Sequence, residues 1–261
     1  MTQNVRLQNL RDFTVQIRNA DDQIVGTGIA VSTDGKIVTC AHVVREAGID
    51  PRNSNGGEVG IYFPQALKGQ DKKYKGKVIA FFKEHDDDVV LLQLTNGASP
   101  LTSEKIAIIG TADESATHAF RSYGYRALGA YPAGWAEGTI MGNVDSPSKL
   151  ALHVEPVQLD SKQIAPGMSG SGVLDVERNL LIGIISETYY PPSDDPKDRD
   201  TAWSVNMRVL SFKPLGLIVQ DTSIALRAAP EPKLKKNVVE DLIRIAKLVL
   251  QGRSNANRFM E

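Results

Sequence analysis

Cysteine is nearly absent from this sequence, since Cys40 is the only one among 261 residues. An intrachain disulfide is therefore impossible, which excludes the class of secreted domains held together by several disulfides. Long apolar runs are lacking as well, because no stretch approaches the roughly 18 apolar residues of a membrane-spanning helix. The opening residues, MTQNVRLQNLRDF, also lack the apolar core of a signal peptide. Together these absences predict a cytoplasmic chain without a membrane partner.

An excess of charge of either sign is lacking too. The chain carries 30 Lys and Arg against 31 Asp and Glu, which gives a formal net charge of −1. Nucleic-acid-binding surfaces usually need a basic surplus, so the sequence predicts no nucleic-acid partner. The remaining composition, 41% hydrophobic and 23% charged, is ordinary for a folded globular protein.

The chain does contain many short apolar segments separated by Gly, Pro, Asp and Asn residues. Such segments at regular spacing predict the strands of a β-sandwich or β-barrel. They form two series, which predicts an all-β fold of two six-stranded antiparallel barrels over residues 1–112 and 113–212. The predicted strands are residues 13–18, 23–32, 36–41, 58–63, 74–82 and 89–94, then 119–125, 138–144, 150–157, 172–176, 180–186 and 201–209.

Residues 213–261 have a different pattern. A connector that contains proline, AAPEPK, is followed by Asn237 as a candidate N-cap, and apolar residues then recur at helical spacing as far as Val249. This tail is predicted to form an amphipathic C-terminal α-helix. The helix either closes the second barrel or connects the chain to a partner module.

Three segments carry the residue types of a serine hydrolase. IVTCAHVV places His42 at the end of an apolar run, DDDVVLLQL places Asp88 before one, and PGMSGSGVL places Ser169 in a turn rich in glycine. A serine hydroxyl is a weak nucleophile until an imidazole takes its proton, and a buried carboxylate orients that imidazole. Gly167 permits the turn that would aim the backbone N–H groups of Gly167 and Ser169 at an oxyanion.

Neighbouring residues compete for two of these roles. Asp86 and Asp87 are alternatives to Asp88, which we favour because it directly precedes the apolar strand. Ser171 is an alternative to Ser169, but only Ser169 has a glycine two residues upstream and a strand about three residues downstream. The order His, Asp, Ser argues against α/β-hydrolases, in which the serine comes first.

These segments resemble the trypsin-like peptidase family. The likeness rests on GTGIAVS, VTCAHVV, DVVLLQL and PGMSGSGVLD followed by LIGIIS, and it is greatest for the bacterial, disulfide-free HtrA-like branch. It covers roughly residues 13–210. The resemblance implies a chymotrypsin-like fold with the active site in the cleft between the two barrels. We expect no PDZ-like module and no cleavable activation segment in this chain.

The family also implies an activity and a set of roles. The chain would be a serine endopeptidase that cleaves protein or peptide substrates through an acyl-enzyme, with no cofactor and no metal. His42 would be the general base, Asp88 the acid that orients it and Ser169 the nucleophile. Ser186 matches the strand that pairs with the substrate backbone, and Gln163 matches the base of the pocket for the residue before the cut. Because Gln163 is uncharged, we expect no strict requirement for Arg or Lys there.

The sequence departs from the family beside the serine. Family members usually have Asp or Asn where Met168 stands, and Gly and Pro where Ser171 and Gly172 stand. This departure keeps a second function open, a catalytically silent peptide-binding module on the same fold, and an esterase is a third. Similar domains are effector modules fused to signalling or defence ATPases, so association with a regulatory ATPase or sensor module is a further hypothesis by analogy.

The segment that follows Ser186 is acidic. It forms either a solvated loop or an acidic rim that favours basic substrates. Its acids are Glu187, Asp194, Asp195, Asp198 and Asp200, against Lys197 and Arg199. Cys40 is expected to be a buried strand residue without a redox role, and His85, His118 and His153 are expected to be structural or exposed.

Overall fold

A computed structural model describes residues 8–53, 57–67, 70, 72–81, 88–95, 98–125, 133–145, 156–188 and 200–211. The chain divides into two units, Met1–Thr222 and Ser223–Glu261, and every described residue belongs to the first. The predicted C-terminal helix and the competing Asp86 and Asp87 therefore lie outside the described residues. None of the helices in the described part has the length and hydropathy that a membrane crossing requires.

The first barrel closes through six antiparallel strands in the order β1-β2-β3-β6-β5-β4. Two short helices accompany it, α1 before the first strand and α2 after the third. The elements are α1 (Leu10–Phe13), β1 (Thr14–Arg18), β2 (Ile24–Ala30), β3 (Lys36–Thr39), α2 (Ala41–Glu46), β4 (Val59–Tyr62), β5 (Tyr74–Phe81) and β6 (Val90–Leu94).

The second barrel repeats this arrangement in the order β10-β11-β12-β9-β8-β7. Its strands are β7 (Ala119–Tyr125), β8 (Ala133–Asn143), β9 (Val157–Asp160), β10 (Gly172–Asp175), β11 (Leu180–Thr188) and β12 (Thr201–Asn206). Short 3-10 turns lie at Ser103–Lys105 and Met207–Ser211. The predicted all-β fold of two six-stranded antiparallel barrels is confirmed.

Alternating side chains fill the barrels. Along β5, buried and exposed residues alternate from Tyr74 to Ile79, as expected where one face lines a barrel and the other meets water. In the first barrel Ile37 of β3 pairs with Leu92 of β6, and both are fully buried. Burial of such a side chain contributes about 1.5–3 kcal/mol to stability.

Many predicted strand boundaries differ from the structure by one or more residues, among them the end of β12, where residues 207–209 belong to a 3-10 turn and not to the strand. Strand β8 begins at Ala133, five residues before the predicted start at residue 138. Strand β9 begins at Val157, directly after Pro156, because proline cannot donate a hydrogen bond inside a strand ladder. Ala41 opens helix α2 instead of ending strand β3. Short apolar runs such as residues 37–44 do not distinguish a strand from a helical turn by period alone.

Candidate active site

Strand pairing in the first barrel brings His42 and Asp88 together. Thr39 at the end of β3 pairs with Val90 at the start of β6. His42 follows Thr39 by three residues on α2, and Asp88 precedes Val90 by two. Residues far apart in sequence thus meet at one end of the barrel, because antiparallel strands place the end of one beside the start of the other.

The Asp88 carboxylate binds His42 at two points. Its Oδ2 lies 2.6 Å from Nδ1 of the imidazole, and its Oδ1 accepts the backbone N–H of His42 at 2.8 Å. The hydroxyl of Ser186 donates a third hydrogen bond to Oδ2. Asp88 is only 1% exposed, so these bonds form away from bulk water. Charge-assisted bonds of this kind fix both the position and the tautomer of the ring.

The pair shifts the pKa of both groups. Burial by itself would lower the pKa of His42, but the hydrogen bond to Asp88 and the charge of that carboxylate outweigh it and raise the pKa above its ordinary value. Burial would likewise raise the pKa of Asp88, but the hydrogen bond and charge of His42 outweigh it and hold the pKa below its ordinary value. Each partner stabilises the charged form of the other.

Two consecutive tight turns present Ser169. The carbonyl of Ala165 accepts the N–H of Met168 at 3.1 Å, and the carbonyl of Met168 accepts the N–H of Ser171 at 2.9 Å. The third residues of these turns are Gly167 (φ +89°) and Gly170 (φ +84°). A positive φ at that position is the mark of a type II turn, which strongly favours glycine.

The first barrel holds the Ser169 turn in place. Thr27 of β2 donates its N–H to the carbonyl of Ser169 at 2.9 Å, and Gly170 donates its N–H to the carbonyl of Ile185 at 2.8 Å. A Cβ on Gly170 would lie 1.9 Å from the carbonyl oxygen of Thr27, so no larger residue fits without a shift of the backbone. The turn is therefore fixed relative to both barrels.

Within the described residues, the hydroxyl of Ser169 bonds to a backbone carbonyl and not to the imidazole. Its Oγ donates to the carbonyl oxygen of Ser186 at 3.5 Å, and no hydrogen bond joins it to His42. The backbone N–H groups of Gly167 and Ser169 donate to none of the described residues. An oxyanion hole needs such N–H groups beside the nucleophile, and this role for Gly167 and Ser169 stays a prediction.

Ser171 occupies a closed environment. It is completely buried, and its Oγ has no hydrogen-bond partner within the described part of the chain. A Cβ on Gly124 of β7 would lie 1.8 Å from that oxygen, so the hydroxyl packs directly against the β7 backbone. A substrate carbonyl cannot reach Ser171 in this position.

A β-bulge directs Ser186 toward the site. In the pairing of β11 with β12, Ile185 lies opposite Ser204 and Glu187 lies opposite Trp203, so Ser186 is the extra residue. Bulges redirect side chains in this way. The sequence indicated only that Ser186 lies on a substrate-binding strand, and its bond to Asp88 was missed because the bulge depends on strand register.

Gln163 and His118 contact neighbouring strands. Gln163 is exposed, and its Oε1 accepts the backbone N–H of Glu137 in β8 at 3.0 Å. Its role at the base of a substrate pocket stays a prediction. His118 lies 2.9 Å from the fully buried Asp175, which makes it a structural residue of the second barrel, as expected.

Cys40 lies beside the pair as a buried thiol. Its Sγ is 3.2 Å from the carbonyl oxygen of Ile185, and Cys40, His42 and Asp88 offer ligand atoms within 4.8 Å of one another. Burial raises the pKa of Cys40 well above its ordinary value, and the charge of Asp88 raises it further. Metals bind the thiolate, so this protonated thiol fits a packing role better than a ligand role.

Met168 belongs to the core of the second barrel. Its side chain is completely buried among residues such as Phe120, Leu159 and Ile182. The polar contact expected from an Asp or Asn in this position is therefore replaced by apolar packing. The turn is therefore anchored at two points, by the packing of Met168 in the core and by the hydrogen bond from Thr27 to the carbonyl of Ser169.

We expect Met168→Asp to lower the free energy of unfolding by about 3–5 kcal/mol, because it buries an unpaired charge. Met168→Leu conserves volume and should cost less than about 1.5 kcal/mol. Urea denaturation of both variants measures the difference. If the Asp variant is as stable as the wild type, the side chain has access to water or to a partner, and the packing described above is wrong.

A cavity of about 200 Å³ opens beside the imidazole. It is lined by His42, Arg45, Asp88, Ser186 and Glu187. The imidazole thus borders space that another molecule can enter, which is the condition for proton transfer to or from a substrate.

Solved structures with this fold come from several proteases. The HtrA-type protease AlgW with a decapeptide has 15% identity and a TM-score of 0.53, over 72% of this chain and 49% of that chain. The active form of the Rv3671c protease from M. tuberculosis has 16% identity and a TM-score of 0.55, over 82% and 85%. The MamO protease domain from Magnetospirillum magneticum has 15% identity and a TM-score of 0.54, over 77% and 95%. At such identities the likeness establishes the fold.

This chain spans about half the length of the AlgW chain that it matches. No curated protein sequence matches it. The model of the trypsin-like peptidase domain family, in contrast, matches residues 26–184, which is more than half of the chain and includes His42, Asp88 and Ser169. The chain therefore belongs to the trypsin-like peptidase family.

Proposed function

We propose that the chain hydrolyses peptide bonds in protein substrates through His42, Asp88 and Ser169. The observation that carries this proposal is the buried Asp88 carboxylate, which binds both the backbone N–H and the Nδ1 of His42. A carboxylate on Nδ1 keeps the ring proton there and leaves Nε2 as the proton acceptor. The half-exposed Ser169 and the N–H groups of Gly167 and Ser169, which have no partner among the described residues, would supply the other parts that acyl transfer needs.

The first half of the reaction forms the acyl-enzyme. Ser169 Oγ attacks the carbonyl carbon of the scissile bond while its proton passes to Nε2 of His42. The N–H groups of Gly167 and Ser169 stabilise the negative oxygen of the tetrahedral intermediate. The bond to nitrogen then breaks, and the imidazolium gives its proton to the leaving amine. Water attacks the acyl-enzyme in the same way and releases Ser169.

Substrate binding would prepare the serine for this step. The carbonyl oxygen of Ser186 accepts a hydrogen bond from the Ser169 hydroxyl. A backbone N–H of the substrate would donate to this same oxygen. An incoming N–H competes for that carbonyl and frees the hydroxyl to turn toward His42. Catalytic hydrogen bonds often tighten only in the enzyme–substrate complex.

Protein or peptide substrates fit the open edge of β11. Its ladder with β10 ends at the pair Gly172–Ile184, so within the described residues the cleft side of 186–188 has no strand partner. An extended peptide can add to such an edge through backbone hydrogen bonds. The AlgW structure contains a decapeptide, and we carry peptide binding over to this chain as part of the proposal.

A catalytically silent peptide-binding module is the second candidate. The bond of Ser169 to Ser186, in place of a bond to His42, is the observation that favours it. A silent module would keep the open edge of β11 but would not activate the serine. The two candidates therefore differ in serine reactivity and not in peptide binding.

Labelling with a fluorophosphonate distinguishes the two candidates, because only an activated serine reacts with it. We expect stoichiometric labelling of the wild type at Ser169, together with cleavage of an unfolded protein substrate. Heat-denatured protein serves as the control for nonspecific reaction. A folded protein that takes up no label would overturn the proposed peptidase activity and leave the peptide-binding module.

The labelling rate should rise with pH and then level off. The midpoint of the rise should lie above 6.5, the ordinary pKa of a histidine, because the pKa of His42 is raised. The imidazole accepts the serine proton only when it is neutral, and its contacts with Asp88 raise its pKa. Asp88→Asn should move the midpoint to lower pH, because those contacts weaken. A rate that falls with rising pH between 6 and 8 would contradict the role of His42 as the base.

The cellular setting stays a hypothesis from the sequence. We propose a cytoplasmic location, barrels delimited as domains 1–112 and 113–212, and association with a regulatory ATPase or sensor module. The nearly cysteine-free composition supports the first of these. Affinity purification of the tagged chain from its own cells, with identification of the retained proteins, tests the last.

A further inference from the structure

Glu187 lies on the wall of the cavity beside His42. The carboxylate is half-buried, and it forms no ion pair or hydrogen bond within the described part of the chain. Burial raises the pKa of Glu187, the charge of Asp88 raises it further, and His42 opposes them. A partly desolvated carboxylate without a partner gains stability from any cation that enters the cavity.

Strand pairing identifies which substrate residue meets Glu187. If the residue before the cut lies beside Ser186, an antiparallel substrate places the second residue before the cut opposite Glu187. Glu187 pairs with Trp203 of β12 on its other side. Pair types alternate along an antiparallel ladder, so if the residue before the cut bonds to the Ser186 carbonyl, the substrate pair at Glu187 is of the type without direct hydrogen bonds. Side chains in such pairs lie on the same face and approach closely.

The cavity has room for one side chain. Its volume is about 200 Å³, whereas pockets for small molecules typically measure about 300–1,000 Å³. A lysine or arginine side chain would pass over the imidazole and place its cation against Glu187. A long basic side chain also packs its apolar stem along the wall while the charged end reaches the acid.

Arg45 also lines this cavity and carries the opposite charge. It is exposed on α2, and no ion pair joins it to Glu187 in the described structure. Water and salt screen an exposed charge far more than a half-buried one, so the field of Glu187 dominates inside the cavity. The guanidinium at the rim weakens the preference for a cation without reversing it.

We propose that Glu187 selects substrates with lysine or arginine as the second residue before the cut. The inference rests on the proposed substrate-binding edge, and it names a specificity-determining residue of that site. It concerns a different position from the residue before the cut, for which Gln163 predicts no strict basic requirement.

Peptide binding to Ser169→Ala tests the proposal without any need for hydrolysis. The probes are fluorescent peptides with leucine before the cut and lysine, glutamine or glutamate as the preceding residue, measured by anisotropy at low salt. We expect the lysine peptide to bind about tenfold more tightly than the glutamine peptide. This effect is intermediate between that of an exposed ion pair, which is small, and that of a desolvated ion pair, which is large. The glutamate peptide should bind most weakly.

Two further variants in the Ser169→Ala background supply the control. Glu187→Gln should remove the preference for lysine. Glu46→Gln removes an acid that also acts on His42 but does not line the cavity, and it should keep the preference. Equal binding of all peptides, no binding of any, or a lysine preference that survives Glu187→Gln would overturn the inference. If the lysine preference is found but wild type neither cleaves nor labels, the subsite stands and the peptidase proposal fails.

Discussion

Replacing Ser169 with alanine is expected to abolish fluorophosphonate labelling and to lower kcat by about 10⁶-fold. The substitution removes the hydroxyl that forms the acyl-enzyme in the proposed mechanism, while the backbone of the turn keeps its bonds to Thr27 and Ile185. Substrate binding should therefore persist. Labelling stoichiometry and peptide hydrolysis measure the loss, and the melting temperature checks that the fold is retained.

Ser171→Ala is the matched control for this prediction. The two serines are separated only by Gly170, but the Oγ of Ser171 is buried without a partner in the described structure. Its removal relieves an unsatisfied polar atom, so stability should stay the same or rise slightly. Labelling and turnover should remain near wild type. Equal loss of activity in both variants would show that the turn, and not the Ser169 hydroxyl, is what the reaction needs.

Asp88→Asn should lower turnover by about 10⁴-fold. The amide can donate a hydrogen bond to Nδ1, which moves the ring proton to Nε2 and prevents His42 from accepting the serine proton. The same change disturbs the hydroxyl of Ser186, which donates to Asp88. Steady-state kinetics should show the loss mainly in kcat, because the backbone groups of the β11 edge that would bind the substrate are retained.

Asp175→Asn separates this chemical effect from the general cost of changing a buried aspartate. Asp175 is fully buried and lies 2.9 Å from His118, so the substitution repeats the change at a second histidine pair. We expect a lower melting temperature with kcat/KM close to wild type in the folded fraction. A variant Asp88→Asn with more than a tenth of wild-type activity would refute the orienting role. A crippling effect of Asp87→Asn would assign that role to the neighbouring residue.

The sequence predicted the strand series well because barrel strands carry a local signal. Alternation along β5 and the apolar runs of β6 and β10 are visible in single segments. The strand predicted at residues 150–157 differs from β9, which spans Val157–Asp160 and begins directly after Pro156. Helix α2 was missed because a short buried helix and a short buried strand have similar composition.

The sequence by itself determined the residue types that the proposed chemistry uses and their order along the chain. It also determined where the Ser169 turn can adopt a positive φ, because glycine occupies positions 167 and 170 and a positive φ strongly favours glycine. These properties are local, because each depends on one segment and its immediate neighbours.

Only the tertiary structure decided which of the competing groups can meet. Ser171 is enclosed against β7, and Ser186 is turned onto Asp88 by a bulge. Glu187 lies beside His42 with no partner among the described residues. Each of these outcomes depends on strand register and on contacts between distant segments. A shift of one residue in register moves every side chain to the opposite face, and a single segment of sequence does not specify its register.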